Sequence, residues 1–120
     1  MAMPADANPN GDIFGGWLLS QMDLAGGVVA YDLAEGRVAT VAIDGMSFLA
    51  PVYIGDLVTC YATPVKRGRT SIRIRVETFV RRRASAEVVK VTDGIFTYVA
   101  IDPAGRPRAL PGAPEPPVDT

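Results

Sequence analysis

Residues 15–33, GGWLLSQMDLAGGVVAYDL, decide the fold. Trp17, Leu18, Leu19, Met22, Leu24, Ala25, Val28, Val29 and Leu33 cover most of a helical circumference, so a helix is expected from Gly15 or Gly16 to about Leu33. A helix apolar nearly all round is a buried one. Asn10 and Asp12 precede it as turn formers able to cap, and Gly36 lies just past its end as a stop. Gly26 and Gly27 each weaken a helix interior by about 1 kcal/mol relative to Ala, so a neighbouring backbone or a ligand is expected to come close there. Gly16, Ser20, Asp23 and Gly27 are spaced four, three and four apart and share one face. That face is small and carries a single carboxylate. Unpaired burial of a carboxylate is costly, so Asp23 marks either a working site or a hydrogen-bonded carboxylate at a subunit interface.

Beyond the helix the apolar period changes to two. Arg37 to Asp44 reads as a β-branched strand that continues past a bulge through Gly45 to Leu49, and Pro51 to Asp56 is a loop leading into a strand over Leu57 to Thr63. From Ser71, Ile72, Ile74, Val76, Thr78 and Val80 fall on one face, with Arg73, Arg75, Glu77 and Arg81 on the other, the pattern of a half-buried antiparallel strand. A last strand is expected over about Val88 to Ile101. One helix cannot cover both faces of such a sheet, so an α+β fold with the sheet wrapped around the helix is the natural arrangement. Residues 1–106 make one domain, and 107–120, with five prolines in its first eleven residues, is expected as an extended or disordered tail.

The chain contains no histidine and one cysteine, Cys60. Ser-His-Asp and Cys-His machinery, histidine metal sites and an internal disulfide are therefore excluded. Cys60, between Thr59 and Tyr61, reads as an inert strand residue. Acid–base chemistry must come from carboxylates. Asp12 reads as a loop former, Asp44 and Asp56 as strand-end and turn residues, and Asp93 as an outer-face residue. No acidic cluster has metal-ligand spacing, so no metal is expected. Met1 to Asn10 has no secretory pattern and no apolar run is long enough to span a bilayer, which suggests a cytoplasmic chain without membrane contact. Net charge is −1, yet nine of the twelve basic residues lie between Lys66 and Lys90. Such a basic edge on a near-neutral chain suits a small polyphosphate better than nucleic acid.

The segment MPADANPNGDIFGGWLLSQMDLAGGVVA (Met3 to Ala30) closely resembles the signature of YciA-type acyl-CoA thioesterases. Further matches are GRVATVAIDGMSFLAPVYIGD (Gly36 to Asp56), GRTSIRIRVE (Gly68 to Glu77) and VTDGIFTYVAID (Val91 to Asp102). The resemblance implies a hotdog fold, in which a curved antiparallel sheet wraps a central helix, and the hydrolysis of acyl-CoA to fatty acid and coenzyme A. Asp23 would be the catalytic carboxylate, as general base or as nucleophile. Asn8 would reach the site from the neighbouring subunit, and the Gly16 amide at the helix start would stabilise charge developing on the thioester oxygen. A homodimer would be the minimal active unit, assembled as a trimer of dimers, with no cofactor beyond the coenzyme A of the substrate.

The same resemblance places Arg67, Gly68, Arg69, Thr70, Ser71 and Arg82 near the CoA nucleotide, where guanidinium forks suit phosphate oxygens. Arg73 and Arg75 alternate as an outer sheet surface must. Trp17, Met22, Met46 and Phe48 are candidates to line an acyl tunnel. Family members usually carry a strand ahead of the PADAN segment and only Met1 and Ala2 precede Met3 here, so either the true start lies further upstream or a sheet edge needing cover is expected. The rival from another class is a non-catalytic hotdog module that binds acyl-CoA as a sensor or carrier. Such a module would share the basic edge but have no need of Asp23.

Overall fold

The structure, a computed structural model, describes residue 2 and residues 15–113. Helix α1 (Gly15–Ala34) is followed by strands β1 (Val38–Phe48), β2 (Leu57–Arg67), β3 (Ser71–Arg81) and β4 (Val88–Ala100). The strands form one antiparallel sheet in the order β1-β4-β3-β2, and α1 touches all four. Leu18, Met22, Gly26, Ala30 and Ala34, at four-residue intervals, make the buried stripe of the helix. It meets the inner face of the two central strands, Ile72, Ile74, Val76 and Val80 from β3 and Phe96, Tyr98 and Ala100 from β4. Each such aliphatic or aromatic side chain contributes about 1.5–3 kcal/mol on burial.

The fold expected from the period-two patterning is present, with four corrections. The helix is not enclosed on all sides: Leu24, Val28 and Tyr31 are 65%, 64% and 54% exposed. Strand β2 does not stop at Thr63 but runs to Arg67 through Pro64, where its register against β3 shifts before Lys66. A proline is tolerated there because, among the described residues, β2 is an edge strand with one side free of ladder bonds. Strand β1 carries the bulge expected at Gly45, a register shift between Asp44 and Ser47 with Gly45 at φ 67°, but also a second, unexpected one between Thr40 and Ala42.

The fourth correction concerns the start of the proline-rich segment. Pro107 bridges to Ile101, the Leu110 amide bonds the Arg69 carbonyl at 2.8 Å, and the Leu110 side chain is 2% exposed in the core. The ordered domain therefore continues past Arg106. Arg108 packs against Gly36, whose φ of 156° is one that side chains rarely adopt; the Arg108 guanidinium donates to the Ala34 and Ile101 carbonyls, capping the C-terminus of α1.

Candidate active site

Asp23 sits midway along α1, beside the buried stripe rather than on it. Its partners come from the sheet. Thr40 in β1 and Tyr98 in β4 are directly opposed across the ladder, so both side chains rise from the same face toward the helix. Thr40 Oγ1 donates to Asp23 Oδ1 at 2.7 Å. The Tyr98 hydroxyl shares its proton between Oδ1 and the main-chain carbonyl of Asp23, at 2.9 Å to each. Burial, reinforced by the hydrogen bond to Asp23 and its charge, pushes the Tyr98 hydroxyl far above the ordinary phenol range, so it stays a donor. Among the described residues both donors fall on Oδ1 and none on Oδ2. Asp23, Thr40 and Tyr98 line a mostly apolar pocket of about 390 Å³ with Gly27, Val28 and Tyr31. The chemistry such a place can perform is attack on, or proton abstraction beside, an apolar substrate held along the helix.

Gly16 lies in the first turn of α1, where backbone N–H groups have no intrahelical partner. Among the described residues, nothing beyond the helix's own backbone and the chain neighbours lies within 4 Å of where its Cβ would be. A second hollow of about 410 Å³ adjoins this end, lined by Gly15, Leu18, Phe48, Leu49, Pro51 and Val91. Seven residues, about 10 Å of helix rise, separate Gly16 from Asp23, and the Asp23 side chain leans back toward the helix start. Ser20, on the face between them, spends its hydroxyl on the Trp17 carbonyl at 2.7 Å. Of the four candidate tunnel residues, Phe48 lines this second hollow, Trp17 is partly buried, Met22 is fully enclosed in the core and Met46 lies against Gly94.

The residues expected at the CoA nucleotide divide into two places. Arg67, Gly68, Arg69, Thr70 and Ser71 form the β2–β3 hairpin, and Ser71 opposes Val99, one residue from Tyr98. This hairpin is at the same end of the sheet as the partners of Asp23. Arg67 donates to the Pro111 carbonyl and leaves its remaining donors to solvent. Arg82 lies beyond the opposite end of β3, about 35 Å away at strand rise. Its Nη1 is held by Asp56 and the Pro51 carbonyl, and the guanidinium stacks over the Tyr53 ring at 4.6 Å. Arg82 is thus already paired with Asp56, which also closes the turn from Tyr53 to Asp56.

Asn8 lies outside the described residues. Asp93 is on the outer sheet face as expected, paired with Arg75 at 3.1 Å and Lys90 at 2.8 Å. Cys60 is half-buried beside Thr78. Among the described residues no group of three metal-ligating side chains converges, and no helix is long and apolar enough to cross a membrane.

Thr40 and Tyr98 are not singled out by the sequence. The usable signal was the tyrosine: on the inner face of a core strand its hydroxyl needs a partner, and Asp23 is the carboxylate the helix offers.

Comparison with known proteins finds thioesterases. A family model described as the thioesterase superfamily matches residues 10–87. The acyl-CoA thioester hydrolase YciA of Salmonella typhimurium is 56% identical over 114 residues, covering 92% of this chain and 86% of that protein. Among solved structures, a hexameric thioesterase from Yersinia pestis superposes with a TM-score of 0.90 at 53% identity, covering 93% of this chain and 92% of the other. A hexameric hotdog fold thioesterase of Campylobacter jejuni gives 0.88 at 42% identity, covering 92% and 85%.

Proposed function

The chain belongs to the thioesterase superfamily, and from that premise we propose that it hydrolyses acyl-CoA thioesters with Asp23 as the reacting carboxylate. The observation that carries this reading is Asp23 itself, held by two donors on one oxygen at the wall of an apolar pocket in a chain without histidine. Acyl-CoA and water give a free acid and coenzyme A. In the general-base route Oδ2 takes a proton from water as the water oxygen attacks the acyl carbon. The tetrahedral intermediate then collapses, breaking the C–S bond, and the departing thiolate takes the proton. In the nucleophilic route Oδ2 attacks first, expelling the thiolate and forming an anhydride that water opens. In both, the amide of Gly16 stabilises the negative charge that develops on the thioester oxygen.

Water and the thioester are the only reactants, so no cofactor is required. Asn8 contributes from the partner subunit in this scheme, positioning water or substrate, a role supported by the resemblance of the PADAN segment. Arg67, Gly68, Arg69, Thr70 and Ser71 receive the nucleotide phosphates; their support is the placement of the hairpin at the Asp23 end of the sheet and the exposure of Arg67 and Arg69. Arg82 is left out because its charge is already matched by Asp56. A homodimer is the working unit, three of which form a hexamer. The exposed Leu24, Val28 and Tyr31 beside Asp23 support the dimer, and the hexameric neighbours support the larger assembly. Because coenzyme A is a polyanion that does not cross bilayers, the reaction is placed in the cytoplasm.

Thiol release from a panel of acyl-CoA thioesters tests the reading. The 120-residue chain turns them over, and Asp23→Asn folds but loses turnover. Near-wild-type hydrolysis by that variant sinks the role of Asp23, and saturable binding without turnover by the unmodified chain restores the binding module.

A further inference from the structure

Resting on the reading of Asp23 as the reacting carboxylate, one more residue acquires a role. Tyr98 is among the largest fully enclosed side chains, yet its hydroxyl ends on the helix, shared between the main-chain carbonyl and Oδ1 of Asp23. The carbonyl already accepts a helix bond, and its second lone pair takes the tyrosine proton. This approach exists only because residue 26 lacks a side chain: a Cβ there would fall 2.5 Å from the tyrosine oxygen and 3.1 Å from Cζ. Gly26 is not among the residues with positive φ, so backbone conformation does not require a glycine. Gly27, by contrast, would place its Cβ in ordinary contact with the ring, at 3.8 Å.

We propose that Tyr98 is a positioning residue that, with Thr40, anchors Oδ1 of Asp23 so that Oδ2 is the one oxygen presented to substrate, and that Gly26 is the slot admitting its hydroxyl. The terminal torsion of a carboxylate is soft and nearly two-fold, so an unanchored Asp23 would offer either oxygen over a broad range of angles. A bond shared between side chain and main chain ties the carboxylate orientation to the helix itself. Holding a reacting group in its productive geometry before the reaction begins is a large source of rate.

The 120-residue chain and its Tyr98→Phe, Gly26→Ala, Gly26→Ala/Tyr98→Phe and Asp23→Asn variants are compared by thiol release from butyryl-CoA, with the melting temperature of each. Tyr98→Phe lowers kcat about tenfold or more and leaves KM within about twofold, as loss of a hydrogen bond to a charged group predicts. Gly26→Ala, with the tyrosine intact, lowers kcat similarly by pushing the hydroxyl away, and lowers the melting temperature. In the double variant the phenylalanine removes the 2.5 Å contact and leaves the ring carbon at 3.1 Å, so the melting temperature recovers part of the way toward that of Tyr98→Phe while kcat stays low. A purely structural role would restore both. Wild-type kcat in Tyr98→Phe, or recovery of kcat in the double variant, overturns the proposal; if Tyr98→Phe does not fold, wild-type kcat in Gly26→Ala does so. Undiminished turnover by Asp23→Asn overturns instead the reading beneath it.

Discussion

Arg82 and Asp56 form an enclosed ion pair: Nη1 lies 2.5 Å from Oδ2, with the guanidinium side chain 16% exposed and the carboxylate 4%. The Tyr53 amide adds a bond to the same carboxylate at 2.8 Å. Removing the cation leaves, among the described residues, a buried carboxylate with one neutral donor, the costly way to break such a pair. Arg82→Ala is expected to lose about 3–5 kcal/mol in urea unfolding, and the double change to Arg82→Met/Asp56→Leu to recover most of it. KM for acyl-CoA is expected to be unchanged in Arg82→Ala, since the side chain stands at the end of β3 remote from Asp23.

On the outer sheet face, hydrogen bonds from Lys90 and then Arg75 hold the Asp93 carboxyl below the usual carboxylate range. A carboxyl whose folded pKa lies below its unfolded value stabilises the fold above the unfolded value, near pH 4, and that contribution is lost as pH falls through the folded one. Denaturant titrations at stepped pH are expected to show Asp93→Asn with a flatter loss of stability below about pH 4 than the unmodified chain. Because the cluster is solvent-exposed, the difference at neutral pH is less than about 1 kcal/mol.

Leu110 is expected to behave as a core residue although it follows Pro107. Leu110→Ala removes three buried carbons from a site 2% exposed and should cost about 2–4 kcal/mol. Truncation before Pro107 should cost more, because it also removes the Arg108 cap on α1. Equal thermal stability of the truncated and intact chains would show that the segment is ornamental.

Residue order reveals some of this molecule more readily than the rest, for reasons that particular residues show. The alternation Ile72, Ile74, Val76, Thr78, Val80 was legible because one face of β3 meets core and the other solvent, a local periodicity. The circumference of α1 misled because Leu24, Val28 and Tyr31 are as apolar as Leu18 and Met22, and hydropathy does not tell a face covered by the same chain from one that chain leaves bare. Pro64 and Leu110 were misread because composition ranks a proline as a stop, whereas edge position and a single buried leucine decide otherwise. Asp23 was visible as a charge on a pared-down helix face. Its partners were not, because Thr40 and Tyr98 lie 17 and 75 residues away and meet it only through the pairing of β1 with β4.

That pairing supports a last prediction. Thr40→Val keeps the shape and β-branching of the strand residue but replaces the donor on Oδ1 with a methyl group, so folding should be little affected while kcat falls about tenfold or more at unchanged KM. Thr40→Ser retains the hydroxyl and should keep most of the activity. The two donors hold one oxygen: losing either loosens the carboxylate, and losing both releases it. The Thr40→Val/Tyr98→Phe variant should therefore fall further than the product of the single losses, the non-additivity expected of groups acting on one atom. Butyryl-CoA hydrolysis measured across this cycle checks it. Strictly multiplicative losses would mean that Thr40 and Tyr98 act on catalysis independently.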